Sequence, residues 1–262
     1  MADNSSLEAV LKRDRALVLA GLVVISMLAW TYLVYVAWEM PRMEMAMDMA
    51  MPHLQAWGAV DFILMFAMWS VMMIAMMVPS ASPMILTYAA VNRRRREKEE
   101  TFVSTGTFLL GYVLVWMGFS AVATLAQWGL HTAALLSPMM VSTSPVFGGV
   151  LLIAAGIFQW TPLKYTCLTR CRSPLGFFMT EWRDGSWGAL RMGLRHGADC
   201  VGCCWVLMAL LFVAGVMNLL WIAAIAAFVL IEKVFPHGEV VGRVAGGVLA
   251  LAGLILLSQA WG

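Results

Sequence analysis

Charge is scarce in this sequence. Asp, Glu, Lys and Arg make up 12% of its 262 residues, while hydrophobic residues make up 62%. Ordinary soluble domains carry about 25% charged and 45–50% apolar residues, so a water-soluble fold of this size could not hide so much apolar surface. The same scarcity excludes intrinsic disorder, and a net charge of +2 gives no electrostatic footprint for nucleic acid. Cysteine is sparse too: there are five, all between positions 167 and 204. No P-loop is present, so ATP-driven transport by this chain alone is excluded, and no nucleophile–base–orienter set marks a hydrolase or transferase. Methionine, by contrast, is abundant, with 22 in the chain and 13 of them between Met40 and Met84.

The apolar residues fall into runs long enough to cross a bilayer, for which about 20 residues are needed. Seven such runs are read at 17–38, 60–81, 103–128, 146–163, 201–217, 218–234 and 240–261. The first follows Lys12, Arg13 and Arg15 but is too long for a signal-peptide core, and reads as a retained helix. The nearly continuous run 201–234 exceeds one bilayer crossing, and Gly215, Met217 and Asn218 offer a break into two helices. Basic residues set the orientation. With the N-terminus inside, sixteen of the seventeen Lys and Arg fall on the cytoplasmic side, and Arg42 alone lies outside. The fold expected is therefore an all-α polytopic transmembrane bundle of about seven spans, with the N-terminus cytoplasmic and the C-terminus outside. Residues 1–15 form a cytoplasmic tail and 16–262 a single integral membrane domain. That domain contains a Met-rich outside loop at 39–59 and a Cys/Arg-rich cytoplasmic loop at 161–196. The compartment expected is the bacterial inner membrane, with the lipid bilayer as the first partner.

The outside loop carries Met43, Met45, Met47, Met49 and Met51 in strict alternation, followed by His53. Thioethers are soft, uncharged ligands suited to Cu(I), and they survive conditions that oxidise thiols. A chain with donors this closely spaced can wrap an ion that needs two to four of them. The plain alternative is an amphipathic surface segment with methionine as filler. The next run continues the theme: Met65, Met68, Met72 and Met76, spaced three, four and four, form one helical stripe leading inward. Pro79 and Pro83 then break the helix, freeing carbonyls that in lipid must face protein or a wet cavity.

The cysteines form two groups, Cys167 with Cys171 and, further on, His196, Cys200, Cys203 and Cys204. On a helix, Cys200 lies about 40° to one side of His196 and Cys203 about 20° to the other, so an imidazole and two thiols share a face. At the cytoplasmic end these are thiols rather than disulfides. Soft donors on one face suit Cu(I), with Zn(II) as the alternative metal, and Cys167 and Cys171 can complete a four-donor site. The competing reading makes Cys203 and Cys204 small packers in a membrane helix. Glu232 and Lys233 read as a marker of the inner interface.

Three strings carry a resemblance that spans residues 57–262. They are Met68-Trp-Ser-Val-Met-Met-Ile-Ala-Met-Met-Val-Pro-Ser-Ala-Ser-Pro-Met84, then Gln159-Trp-Thr-Pro-Leu-Lys164 with Cys171-Arg-Ser-Pro-Leu-Gly176, and His196-Gly-Ala-Asp-Cys-Val-Gly-Cys-Cys-Trp205. In these the chain resembles a bacterial family of metal-binding integral membrane proteins, a domain of unknown function. The resemblance implies membrane embedding and metal binding, but no reaction. Taken together, the expectation is Cu(I) binding and passage or delivery across the inner membrane. Methionines collect the ion outside and relay it to the tighter-binding cytoplasmic thiols, with a copper chaperone or a membrane complex as partner and with room for an oligomer. The alternatives are a membrane redox enzyme with a metal centre near Cys200–Cys204, and a copper-delivery subunit of a membrane complex.

Overall fold

A computed structural model describes residues 3–50, 57–96, 103–133, 135 and 144–261. The described residues form helices joined by short turns, without a strand among them. In chain order the helices are α1 (Asp3–Ala50), α2 (Ala59–Arg96), α3 (Thr105–Thr132), α4 (Pro145–Phe158), α5 (Pro162–Arg172), α6 (Pro174–Glu181), α7 (Gly185–Ala209), α8 (Leu211–Ala214), α9 (Leu219–Val234) and α10 (Gly238–Trp261).

The helix starts follow local chemistry. Ser144 and Thr161 each accept a hydrogen bond from a backbone N–H in the first turn, at Phe147 and Lys164, and each is followed by proline at the first helical position. Asn218 caps α9 in the same way through Trp221 N–H at 3.2 Å. Between α8 and α9 the chain turns at Gly215, whose φ of 99° is one that a side chain would resist. The break expected at Gly215–Asn218 is therefore present.

The chain is all-α, with several helices able to cross a membrane, but the seven expected spans become five, or six if a bent pair counts as one. The five are Arg15–Glu39, Ala59–Arg95, Thr105–Thr132, Gly185–Ala214 and Gly238–Ala260, and the bent pair is α4 with α5, at 63°. Helices α4 and α9, with 14 and 16 residues, reach only about 21 and 24 Å, less than the roughly 30 Å of bilayer hydrocarbon. Residues 161–196 are α5, α6 and the first half of α7 rather than an irregular loop. The segment expected as an outside loop is helical as far as Ala50. Met43, Met45, Met47 and Met49 thus lie on the end of α1, but their side chains, and Met51 and His53 entirely, lie outside the described residues.

Pro79 and Pro83 do not break α2, which runs through both. A proline leaves the carbonyl four residues earlier without its helical donor. Trp30 of α1 supplies one to Ala75, its indole N–H donating at 3.1 Å, and Ser82 Oγ donates to Pro79 at 2.8 Å. Satisfying these carbonyls from side chains is what keeps a proline-containing helix intact in lipid.

Two close helix seams hold the bundle. Helix α10 lies on α4 through Gly149, Gly156, Gly246 and Gly253; a Cβ added at Gly156 would stand 2.8 Å from Ala250 N. Helix α7 lies on α3 so closely that a Cβ at Gly193 or Gly111 would run into the opposite backbone. Small residues at such crossings are how membrane helices approach one another. The second seam matters most, because it brings the His196–Cys204 face of α7 against α3 and α2.

Candidate metal centre

His196, Cys200, Cys203 and Cys204 are all buried, none more than 3% exposed. The expected shared helical face therefore exists, and it points into protein rather than lipid. Around His196 the rings of Tyr112, Phe177 and Phe108 stand with centroids 5.4, 5.9 and 6.1 Å away. Both imidazole nitrogens are buried, and neither has a hydrogen-bond partner. Neutral imidazole offers a donor and an acceptor, so an apolar box around both is costly unless something else binds there.

The thiols are tied to one another and to their surroundings. Cys203 and Cys204 donate to the Cys200 carbonyl at 3.1 and 2.9 Å. Cys200 Sγ lies 3.1 Å from Tyr112 Oη and 2.9 Å from Lys233 Nζ, and Lys233 also reaches Ser80 Oγ at 3.2 Å. Cys171, from α5, is partly buried and packs against the core that contains these thiols. Cys167 faces Gly202, where an added Cβ would stand 2.8 Å from its Sγ. Among the described residues no three His, Cys, Asp or Glu side chains converge as a ready-made ion cage. The donors are neighbours, but their sulfurs are engaged with a carbonyl, a phenol and an ammonium. The set is nevertheless chemically suited to a soft ion: three or four thiols and one imidazole, shielded from water, with both imidazole nitrogens uncommitted.

Met68, Met72 and Met76 are buried as part of the core, while Met65 is partly buried and accepts from Gln127 Nε2 at 3.6 Å. The methionine that meets the thiols is Met77, whose Sδ lies 4.0 Å from Cys204 Sγ, and it stands off the expected stripe.

Sequence reasoning also passed over the ionisable residues of α9. Glu232 and Lys233 are enclosed by protein, 2% and 8% exposed. Glu232 pairs with Lys164 Nζ at 2.7 and 2.9 Å, and Gln159 also accepts from that ammonium. The signal available was the general one that charge inside a membrane segment is seldom idle. Asp199, one residue before Cys200, faces Arg170 at 3.4 Å and Arg195 at 3.9 Å.

The sequence profile of a family described as PpoB2, copper chaperone, matches residues 66–256. The chain belongs to this family. No curated protein and no solved structure matches it. The family match agrees with the resemblance carried by the Met68–Met84 and His196–Trp205 strings. It takes in Met68, Met72, Met76, Met77, His196 and all five cysteines, and leaves Met43–His53 and Met65 outside.

Proposed function

We propose that the protein binds Cu(I) as cargo at the buried His196–Cys200–Cys203–Cys204 face, with Cys171 from α5, and moves or delivers it across the inner membrane. The observation that carries this reading is His196: a buried imidazole with both nitrogens unpartnered, one helical turn from Cys200. A buried polar group left without a hydrogen bond costs about 1–3 kcal/mol, a cost that ligation would offset. Thiols and imidazole together favour a soft ion over Mg(II) or Ca(II), and membership of a family described as a copper chaperone favours copper over zinc.

The Met77–Cys204 contact supports a route in which a thioether of α2 hands the ion to a thiol of α7. Met65, Met68, Met72 and Met76 lie above it on the same helix, and Met43, Met45, Met47, Met49, Met51 and His53 precede them as the collecting segment. Thioethers hold Cu(I) less tightly than thiolates, so the ligand gradient favours inward movement. The orientation that goes with this route has the N-terminus and the basic residues in the cytoplasm and the C-terminus outside, with α4 and α9 crossing as short members of the bundle. Family membership also supports the delivery reading, in which a copper-requiring partner receives the ion.

The test is metal loading of the full-length protein, purified without oxygen in zwitterionic nanodiscs and titrated with Cu(I) against a chromophoric chelator. Wild type is expected to hold Cu(I) in preference to Zn(II), and His196→Ala and Cys200→Ser/Cys203→Ser to lose that binding. Unchanged binding in both variants, or a site that takes zinc alone, would overturn the proposal.

A further inference from the structure

A cavity opens beside the N-terminal half of α7, on the chain leading into the His196–Cys204 segment. It has a volume of about 390 Å³ and is lined by Glu181, Arg183, Arg191, Met192, Leu194 and Arg195. That volume falls within the range of about 300–1,000 Å³ typical of small-molecule clefts.

Its wall is built by the turn between α6 and α7. Trp182 is held there by stacking on Tyr88 and by its indole N–H donating to Asp184 at 2.9 Å. The Arg183 backbone then folds over Gly188, where an added Cβ would stand 2.6 Å from the Arg183 carbonyl oxygen. Gly185, with φ of 76°, makes the turn possible. Arg183 is thus carried by the turn and Arg191 and Arg195 by α7.

The charges are unbalanced. Arg183 and Arg191 are exposed, and neither has an ion-pair partner among the described residues. Arg195 uses Nε toward Asp199, leaving the fork of its guanidinium free. Glu181 is the single carboxylate in the lining. Guanidinium groups recognise carboxylates through paired N–H donors, and a lone carboxylate among them suits an ammonium. Two carboxylates and one ammonium on a small flexible molecule describe a short acidic peptide. Arg191, Arg195, Asp199 and Cys203 follow one another at steps of four along α7. At 1.5 Å per residue, Arg195 is about 8 Å along the helix from Cys200 and about 12 Å from Cys203.

We infer that this cavity binds a small anionic peptide thiol of the glutathione class, which accepts Cu(I) from the buried cysteines. The inference rests on the copper reading above and names the acceptor. The exchange balances: the bond from Cu(I) to a cysteine sulfur breaks as one to the peptide sulfur forms. The metal stays at +1, and the proton shed by the incoming thiol goes to the cysteine released.

The test is separable from copper. Calorimetric titration of the metal-free, full-length protein in phosphatidylcholine nanodiscs uses S-methylglutathione, whose blocked sulfur cannot compete for metal. Saturable binding is expected, weakened at least tenfold in Arg183→Ala/Arg191→Ala and largely restored in Arg183→Lys/Arg191→Lys. Both positions are exposed, and unchanged thermal melting of the variants excludes unfolding as the cause. Absent binding, or binding indifferent to the alanine pair, would overturn the inference and leave the copper site standing. So would displacement by equimolar inorganic phosphate, which marks a general anion site, or displacement in phosphatidylglycerol discs, which marks a lipid headgroup. Failure of Cu(I) loading with peptide binding intact would instead remove the copper reading.

Discussion

Met77 Sδ of α2 and Cys204 Sγ of α7 stand 4.0 Å apart, joining the methionine-rich helix to the thiols. If copper travels by this junction, Met77 is worth more than any methionine of the 65–68–72–76 stripe. Leucine replaces a buried methionine with little loss of packing, generally under about 1.5 kcal/mol. Met77→Leu is expected to fold normally and to slow Cu(I) loading of the thiols at least tenfold, while Met72→Leu changes it less than twofold. Stopped-flow measurement of copper transfer from a weak chelator distinguishes the two. Equal rates would remove Met77 from the path.

The pairing of Lys164 with Glu232 gives a prediction about the fold that is independent of copper. Both side chains are almost fully buried. Glu232→Gln leaves the Lys164 ammonium in a low-dielectric interior without a countercharge, and breaking such a pair costs about 3–5 kcal/mol. Replacing both partners with apolar residues removes the charges together, and Lys164→Met/Glu232→Leu is expected to recover most of that loss. Thermal unfolding of the single and double variants in detergent reads the cycle. A double variant no better than the single one would show that the pair does not act as a unit.

The contact between α3 and α7 sets a third expectation. Gly193 lies so close to the Phe108 carbonyl that an added Cβ has nowhere to go. Overpacking in a tight interior usually costs about 1–3 kcal/mol, and here the obstacle is backbone, which yields less than a side chain. Gly193→Ala is expected to cost at least that much and to separate Phe108 and Tyr112 from His196. Gly247→Ala, on the open side of α10 where the nearest atom is 3.9 Å away, is its neutral control. Melting temperatures of both variants, measured side by side, check this.

Much of this arrangement was legible in the sequence, because it depends on periodicity. His196, Cys200 and Cys203 share a face by spacing alone, and the break at Gly215–Asn218 follows from residues that stop helices. What was not legible depends on tertiary contact. Pro79 and Pro83 signal a broken helix, yet α2 continues: Ser82 meets one freed carbonyl from within the same turn, and the other is met by Trp30, 45 residues away in the chain. Lys233 at the end of an apolar run looks like an interfacial anchor. Only the crossing of α9 with α2 and α7 shows that its ammonium meets Cys200 and Ser80. The number of full-length spans was illegible for a similar reason: apolar length along the chain does not distinguish a helix of full bilayer length from the 14 and 16 residues of α4 and α9.

His196 yields the sharpest prediction, because stability and binding should move in opposite directions. Its two ring nitrogens are buried without partners, and each unmet polar group is a debit of about 1–3 kcal/mol against the metal-free fold. Phenylalanine keeps the ring stacked among Phe108, Tyr112 and Phe177 and removes both unmet groups. The metal-free His196→Phe protein is therefore expected to melt at or above the wild-type temperature. Adding Cu(I) should raise the wild-type melting temperature, since a ligand bound only by the folded state stabilises it, and should leave His196→Phe nearly unmoved. A variant that melts lower without metal would show that the imidazole is satisfied as it stands. A variant that gains as much from copper as wild type would show that the ion is held by the thiols alone. The combination of a more stable empty protein and a lost copper shift is what a histidine kept for binding, at a cost to the fold, must give.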